Sequence, residues 1–238
     1  MSHAEPAKPE QIRVAVTPSE QVTALAYRAT ARDRDAVTLI LGHGAGANQT
    51  SSFMVHFATA LATRGIDTVT FNFVYSEARK RVPDRNDKLE GCYRKVIEAV
   101  RSGGILNDAP GKLVIGGKSM GGRIASQVAA AGADGMAALV FLGYPLHPPG
   151  RPDQLRAKHL PNIRAPSLFV QGSRDAFGTP AELRPILAKL EAPAELHVVE
   201  DGDHSFKVPK RAGIAQEAVY EAILDRIERW LRETVAGR

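Results

Sequence analysis

The chain has 238 residues, of which 44% are hydrophobic and 24% charged, with 21 glycines and 15 prolines. This composition is typical of a globular protein and excludes a disordered, collagen-like or coiled-coil chain. The single cysteine, Cys92, excludes a disulfide framework and a multi-cysteine metal site. The sequence has neither a run of about 18 apolar residues nor an apolar signal segment at its start, so we expect a cytoplasmic protein with no membrane partner.

Basic residues outnumber acidic ones, at 31 Lys and Arg against 26 Asp and Glu, and the formal net charge is +5. The densest basic run, residues 79–81, is followed by Arg85 and Lys88 and is interleaved with Asp84 and Asp87. Mixed charges of this kind are typical of a solvated loop. We therefore expect no nucleic-acid partner, and the basic run is the segment through which such a partner would bind if one existed.

Short apolar segments rich in Val, Ile and Leu alternate along the chain with longer amphipathic ones. This alternation predicts an α/β fold in which helices cover both faces of a mostly parallel sheet. Only residues 17–21 separate the first two strands, so the sheet is predicted to begin with an antiparallel N-terminal edge. The eight predicted strands comprise residues 12–16, 22–28, 37–41, 68–71, 113–115, 138–142, 167–170 and 196–199.

Helical periodicity predicts helices at residues 51–64, 87–102, 120–131, 180–190 and 214–235. Repeated prolines interrupt residues 143–162. This segment is therefore predicted to be a short excursion over the carboxyl edge of the sheet, with one or two helical turns at most near residues 153–159, and not a lid domain. We expect a single domain over residues 12–238, preceded by a flexible tail of residues 1–11.

A Gly-x-Ser-x-Gly motif, Gly117-Lys-Ser-Met-Gly121, lies between the fifth predicted strand and the third predicted helix. In a nucleophile elbow the serine occupies a sharp, strained turn from strand to helix. Side chains at the glycine positions would collide there with the neighbouring elements. The context of the motif therefore indicates that Ser119 is a catalytic nucleophile.

A serine nucleophile needs a base to accept its proton and an acid to orient that base. Of the seven histidines, His204 follows the last predicted strand, at the same edge of the sheet as Ser119. Asp175, just beyond the seventh predicted strand, is the expected acid, and the three residues follow the chain order of this arrangement. Asp201 and Asp203 are the alternatives, but acids within the turn of His204 itself more often stabilise that turn.

The segment Leu41-Gly-His-Gly-Ala-Gly-Ala47 follows the third predicted strand. Its glycines let backbone amides approach a developing oxyanion, so we expect the oxyanion hole here. The expected donors are the amides of Met120 and Ala45, with Gly44 or Gly46 as alternatives to Ala45. A phosphate-binding loop is excluded, because the lysine and the spacing of that motif are missing.

Four motifs occur in an order that resembles a known superfamily. They are His-Gly-Ala-Gly-Ala at residues 43–47, Gly-Gly-Lys-Ser-Met-Gly-Gly-Arg at 116–123, Gly-Ser-Arg-Asp-Ala-Phe-Gly at 172–178 and Gly-Asp-His-Ser-Phe-Lys at 202–207. With these motifs the chain resembles the α/β-hydrolase superfamily over nearly all of residues 12–235. The resemblance implies the α/β-hydrolase fold.

More closely, the chain looks like the cap-less branch that includes the hydrolase-like domains of testis-expressed protein 30 and KAT8 regulatory NSL complex subunit 3. Residues 71–75 and 142–149 are similar to that branch, and dienelactone hydrolases are its distant relatives. The resemblance implies a triad of Ser119, Asp175 and His204, the same residues that position and chemistry select. A serine stands where dienelactone hydrolases have a cysteine, which makes lactone opening of that kind a poor expectation.

Candidate substrate contacts come from the loops around the elbow. We expect His43, Tyr75, Tyr144 and Phe177 to be near the substrate, although His43 is better suited to holding its own loop by hydrogen bonding. Lys118, next to the nucleophile, is expected to form an ion pair beneath the elbow. The alternative role for Lys118 is attraction of an anionic substrate.

We therefore expect a serine hydrolase that cleaves carboxylic esters of small to medium acyl chains through an acyl-enzyme intermediate. Thioesters are a second substrate class. The expected partner is a small-molecule ester, and the expected chemistry requires no cofactor and no metal. The alternative is an α/β-hydrolase fold with a vestigial site that serves to bind a protein partner.

Overall fold

Eight strands form one sheet within the described residues of the computed structural model, which are 8–30, 37–106, 111–132 and 135–236. The strands are β1 (Glu10–Thr17), β2 (Glu20–Tyr27), β3 (Val37–Gly42), β4 (Asp67–Phe71), β5 (Lys112–Lys118), β6 (Ala138–Leu142), β7 (Ser167–Gly172) and β8 (Ala194–Val199). Residues 1–7 of the predicted tail lie outside the described residues. Glu10 and Gln11, the last two residues of the predicted tail, pair with β2.

The strand order in the sheet is β1-β2-β4-β3-β5-β6-β7-β8. β2 pairs antiparallel with both β1 and β4, whereas all pairs from β4–β3 to β7–β8 are parallel. The antiparallel edge arises because the turn between β1 and β2 is too short for a crossover helix. The predicted α/β class, with a mostly parallel eight-stranded sheet and an antiparallel N-terminal edge, is confirmed.

Six α-helices lie within the described residues: α1 (Ser52–Thr63), α2 (Val74–Glu77), α3 (Asn86–Arg101), α4 (Met120–Ala130), α5 (Pro180–Leu187) and α6 (Gln216–Leu231). Five of them match the predicted helices, and the one-turn helix α2 is additional. α6 continues into a π-helical turn at Arg232–Ala236. In this part of the chain no helix is both long and apolar enough to cross a membrane.

The central parallel strands β5, β6 and β7 are buried on both faces, and successive residues serve opposite cores. In β5, Leu113 and Ile115 belong to the core that α3 and α4 cover. Val114, between them, belongs to the core that α1 and α6 cover. Burial on both faces explains why these strands are continuous apolar runs without a polar alternation. The two cores are covered by helices on both faces of the sheet, as predicted.

The proline-rich residues 143–162 form turns that are anchored to the domain and do not build a lid. Tyr144, Leu146 and Leu160 are fully buried in the core beneath α3 and α4. A single 3-10 turn at Leu160–Asn162 lies just after the place where helical turns were predicted. The absence of a lid domain is confirmed for the described residues.

The elbow depends on a close backbone contact between β3 and α4. A Cβ atom added to Gly121 would lie 2.1 Å from the carbonyl oxygen of Gly42. Gly42 in turn pairs with Gly117 at the end of β5. Because only hydrogen atoms fit between these backbones, the helix can start immediately beside the strand ends. This contact fixes the turn that carries Ser119.

We predict that Gly121→Ala destabilises the protein by about 2 kcal/mol or more, because the added methyl group would have to push two backbones apart. Gly91→Ala in α3 is the matched control, since a Cβ there meets no atom within 4 Å. It is expected to be neutral or to stabilise the protein by up to about 1 kcal/mol. Urea unfolding of both variants measures the difference, and a similar change in the two would show that the contact is not restrictive.

Candidate active site

Ser119 occupies the turn between β5 and α4 in a strained backbone conformation. Its φ is 51° and its ψ is −115°, a region that residues other than glycine rarely adopt. The Ser119 amide donates to the Leu142 carbonyl at 3.0 Å, and its carbonyl accepts from the Arg123 amide at 3.0 Å. These bonds to β6 and α4 hold the strained turn and leave the hydroxyl free to contact His204. The geometry is that of a nucleophile elbow.

His204 follows β8 and lies between the other two predicted triad members. Its Nε2 is 2.8 Å from Ser119 Oγ, and its Nδ1 is 2.8 Å from Asp175 Oδ2. A carboxylate can only accept, so Nδ1 carries the proton and Nε2 is the free acceptor for the serine hydroxyl. The structure thus brings the three side chains together in one hydrogen-bonded chain, with the imidazole 20% exposed and the carboxylate fully buried.

Asp175 is held by donors from its own loop and from β7. Its Oδ1 accepts the Phe177 amide at 2.8 Å. Its Oδ2 accepts the side-chain amide of Gln171 at 2.8 Å, in addition to His204. Gln171 is fully buried, and its carbonyl oxygen accepts the Tyr144 amide. The sequence analysis missed Gln171, although a polar residue near the end of an otherwise apolar strand was a usable signal.

The two alternative acids lie in the turn of His204 and do not contact its ring. Asp203 Oδ1 accepts the backbone amides of Ser205 and Lys207, which is the turn-stabilising role expected of it. Asp201 has a positive φ of 54°, and its amide donates to Ser173. Both residues therefore shape the loop that presents the imidazole.

Lys118 is partly buried beneath the elbow, but it does not form the predicted ion pair. Its Nζ donates to the backbone carbonyl of His204 at 2.6 Å and lies 5.5 Å from the centre of the Phe206 ring. No carboxylate of the described residues is within 4 Å of it; Asp175 and Asp203 act on it from a longer distance. Burial lowers the pKa of Lys118 to about 8, and the two carboxylates oppose that shift. The prediction was wrong because a carbonyl oxygen fills the place of the expected carboxylate.

The loop after β3 packs against the serine. A Cβ atom added to Gly44 would be 3.5 Å from Ser119 Cβ. The Ala45 amide, two residues past His43, donates to no acceptor among the described residues. Met120 is the first residue of α4, so no helical carbonyl one turn earlier accepts its amide. Two free backbone donors therefore flank the elbow, at the residues predicted for the oxyanion hole.

His43 is fully buried in this loop, and this corrects its prediction as a substrate contact. Its Nδ1 donates to the Gly44 carbonyl at 2.8 Å, and its Nε2 accepts the Phe73 amide at 3.3 Å. Burial lowers the pKa of His43 to about 4, so the ring is neutral at physiological pH. The imidazole ties the loop after β3 to the start of α2, which is the role that the sequence analysis preferred for it.

The three predicted aromatic contacts have different positions. Tyr144 is fully buried among Phe141 and Phe169, and its hydroxyl donates to the Arg156 carbonyl, so its prediction as a substrate contact was wrong. The ring of Phe177 is partly exposed and stacks on His204 with 4.2 Å between centroids. Tyr75 is nearly fully buried but lines a cavity beside the loop after β3. Only the latter two side chains border space that a substrate could use.

A second serine–histidine pair lies on the other side of α4. Ser126 Oγ is 2.7 Å from His159 Nε2 and also donates to the Arg123 carbonyl at 2.7 Å. Ser126 is fully buried, and burial lowers the pKa of His159 to about 4. No carboxylate of the described residues orients this histidine. The pair therefore anchors the proline-rich segment to α4 and lacks the access and the acid that nucleophilic catalysis requires.

Among the described residues no group of three or more His, Cys, Asp or Glu side chains is placed to hold an ion. Cys92 is buried, and burial raises the pKa of its thiol to about 12, so it is not a reactive nucleophile.

A protein-family model described as an alpha/beta hydrolase domain matches residues 35–232. Solved structures share the fold at low sequence identity. A dienelactone hydrolase from Anabaena variabilis is 19% identical, with a TM-score of 0.73, and the alignment covers 96% of this chain and 99% of that one. A serine hydrolase without a lid from Xanthomonas campestris is 21% identical, with a TM-score of 0.69, and the coverage is 98% and 96%.

Est1E from Butyrivibrio proteoclasticus, which has also been solved with ferulic acid bound, is similar over 93% of this chain and 99% of its own. Its sequence identity is 14% and its TM-score is 0.66. At these identities the three structures show that the fold is shared. The similarity does not assign the substrates of those proteins to this chain.

We predict that the free energy of unfolding decreases as the pH falls from about 6.5 to about 4. In this range the unfolded chain protonates His43 while the folded protein keeps it neutral, which costs about 3 kcal/mol by pH 4. His159 acts in the same direction. Urea unfolding at several pH values measures the slope. His43→Asn should remove much of it, and an unchanged slope in that variant would contradict the assignment.

Proposed function

Because the chain belongs to the alpha/beta hydrolase family, we propose that it is a serine hydrolase that cleaves carboxylic esters of small to medium acyl chains through an acyl-enzyme intermediate. The observation that carries this proposal is the continuous hydrogen-bonded chain from Ser119 through His204 to Asp175, with 2.8 Å at each step. Such a chain supplies the nucleophile, the base and the orienting acid of acyl transfer.

In the first half of the proposed reaction Ser119 Oγ attacks the ester carbonyl carbon while His204 Nε2 takes the hydroxyl proton. Asp175 keeps the imidazole in the tautomer that has Nε2 free, and it stabilises the positive charge that forms on the ring. The imidazolium then protonates the leaving alcohol, and an acyl-serine ester remains. Gln171 and the Phe177 amide keep the carboxylate oriented throughout.

The negative charge on the carbonyl oxygen is stabilised by the amides of Met120 and Ala45. Fixed donors of this type, which need no reorganisation during the reaction, contribute about 3 kcal/mol each to lowering the barrier. In the second half, His204 Nε2 takes a proton from water while the water oxygen attacks the carbonyl carbon of the acyl-serine. The imidazolium then returns this proton to Ser119 Oγ as the acid leaves.

The proposed substrate size follows from the open site. The proline-rich segment is anchored and builds no lid, and the rings of Phe177 and Tyr75 offer limited apolar contact area. Such a site suits short acyl groups better than long chains. Thioesters are a second proposed class, since the same residues act on them. We also propose that the chain belongs to the cap-less branch described above and that the protein is cytoplasmic.

In this mechanism Lys118 is a positioning residue for the base. Its ammonium group holds the His204 carbonyl, which fixes the loop that carries the imidazole, and it lies within electrostatic reach of Asp175. A charge-assisted hydrogen bond in a buried site stabilises such a loop more than a neutral one does.

We predict that Ser119→Ala lowers kcat for p-nitrophenyl butyrate by at least about 10⁴-fold, because the nucleophile is removed while the fold is kept. The same variant should lose labelling by a fluorophosphonate probe. Ser126→Ala is the matched control: it removes the serine of the other serine–histidine pair and should retain both hydrolysis and labelling.

Circular dichroism and thermal unfolding verify that both variants are folded. Equal rates for the wild type and Ser119→Ala, or no labelling of the folded wild type, would reject the proposed function and favour a binding module on a hydrolase fold.

We predict that kcat/KM declines above pH 8, because the Lys118 amine loses its charge there and holds the His204 carbonyl less firmly. Lys118→Arg, whose guanidinium stays charged, should remove this decline. Rates between about pH 7 and 9.5, with folding checked by circular dichroism at each pH, measure the effect. The same alkaline decline in both proteins would exclude Lys118 as its cause.

A further inference from the structure

A cavity of about 420 Å³ lies beside the loop that packs against the nucleophile. One wall is formed by the end of this loop, Gly46, Ala47 and Asn48, and the other by α2 and the residues that follow it. Gly44, two residues before the cavity wall, is in contact distance of Ser119. Two residues span at most about 7 Å of chain. A ligand in this cavity is therefore close enough to the serine to be part of the same substrate.

Three consecutive cations line the mouth of the cavity: Arg79, Lys80 and Arg81. All three are exposed, and none has an acidic partner within 4 Å among the described residues. The acids nearest in sequence are already engaged. Glu77 accepts from Arg13 and Thr23, and Asp84 accepts the Tyr75 amide and lies near Lys88.

The hydroxyl group of Tyr75 is a buried donor that faces no protein acceptor. Tyr75 is 2% exposed and lines the cavity, and its hydroxyl has no hydrogen-bond partner in the described part of the chain. Burial raises the pKa of Tyr75 to about 12, against a smaller opposing effect of the Gly46 backbone. The group is therefore protonated at neutral pH and can only gain by donating. A buried donor without an acceptor costs about 1–3 kcal/mol.

The backbone that carries the cations is fixed before any ligand binds. The Arg79 amide donates to the Ser76 carbonyl at 2.9 Å, and the Lys80 amide donates to the Tyr75 carbonyl at 2.8 Å. The Ser76 hydroxyl reaches across to the Ala47 carbonyl at 3.5 Å. A fixed turn loses less conformational entropy on binding than a mobile one.

We propose that this cavity binds a carboxylate or phosphate group of the ester substrate, so that the hydrolase selects anionic esters. Residues 79–81 supply the charge and the donors to the anionic oxygens. The inference rests on the proposed function for its link to Ser119. Recognition of the anion by the cavity can be tested without turnover.

The first test compares two pairs of esters. p-Nitrophenyl hemiglutarate and p-nitrophenyl valerate differ by an anion on the acyl side. 4-Butyryloxybenzoate and its methyl ester differ by an anion on the alcohol side. We expect the wild type to prefer the anionic member of at least one pair by about tenfold or more in kcat/KM, which is the effect of one charge-assisted hydrogen bond.

The variant Arg79→Gln/Lys80→Gln/Arg81→Gln should reduce that preference about tenfold and leave the rate on the neutral ester within about twofold. Arg184→Gln/Lys189→Gln/Arg229→Gln removes the same charge from exposed positions outside the cavity and should keep the preference. Absence of an anionic preference in the wild type, or the same preference in the first variant, would overturn the inference.

The second test measures binding alone, on the Ser119→Ala protein, with monomethyl glutarate and methyl phosphate as probes in calorimetric titrations. We expect the tighter of the two probes to bind about tenfold more weakly when residues 79–81 are replaced by glutamine, and its affinity to fall with added salt. The tighter probe identifies the anionic group. If no ester is hydrolysed, the proposed function fails. A tenfold loss of probe affinity in the titration would still support the anion site in the cavity, whereas equal affinities of the two proteins would overturn it.

Discussion

The contact between the backbones of Gly42 and Gly121 is the constraint on which the site depends. It lets α4 begin directly beside the ends of β3 and β5, and the chain can make the sharp turn at Ser119 only because of this proximity. The strain in that turn is balanced by hydrogen bonds to β6 and α4. The same approach brings the loop after β3 against the serine, so a single packing contact positions both the hydroxyl and the free amides beside it.

Around this contact, buried polar groups are paired in a connected network. Asp175 is joined to Gln171 and His204, and the His204 carbonyl is joined to Lys118. The buried carboxylate of Asp175 and the partly buried ammonium group of Lys118 thus both hold His204, one at its ring and the other at its backbone carbonyl. Each isolated charge would be costly in the protein interior, and each is compensated by directed hydrogen bonds. These hydrogen bonds among the described residues fix the orientation and the tautomer of the imidazole ring.

The strands, the long helices and the class of the sheet could be predicted from the sequence. A strand buried on both faces is a run of apolar residues, and the crossover helices have a strong hydrophobic periodicity. The positions of Ser119, Asp175 and His204 could be selected since parallel strands end at one edge. The one-turn helix α2 was not predictable, since four residues carry no periodicity. Nor could the sequence distinguish buried loop aromatics from accessible ones, because Tyr144 is buried by tertiary packing that a local pattern does not encode. The partner of Lys118 could not be predicted either, because it is a backbone carbonyl, which every residue type has.

The anchored proline-rich segment has a consequence for the fate of the covalent intermediate. Tyr144, Leu146 and Leu160 lock it into the core, and no described residue forms a cover that could swing over Ser119. Enzymes that transfer acyl groups to other acceptors must shelter the intermediate from bulk solvent until the acceptor arrives. Because the described residues form no such cover, water can reach the acyl group directly, which favours hydrolysis over transfer in the proposed chemistry.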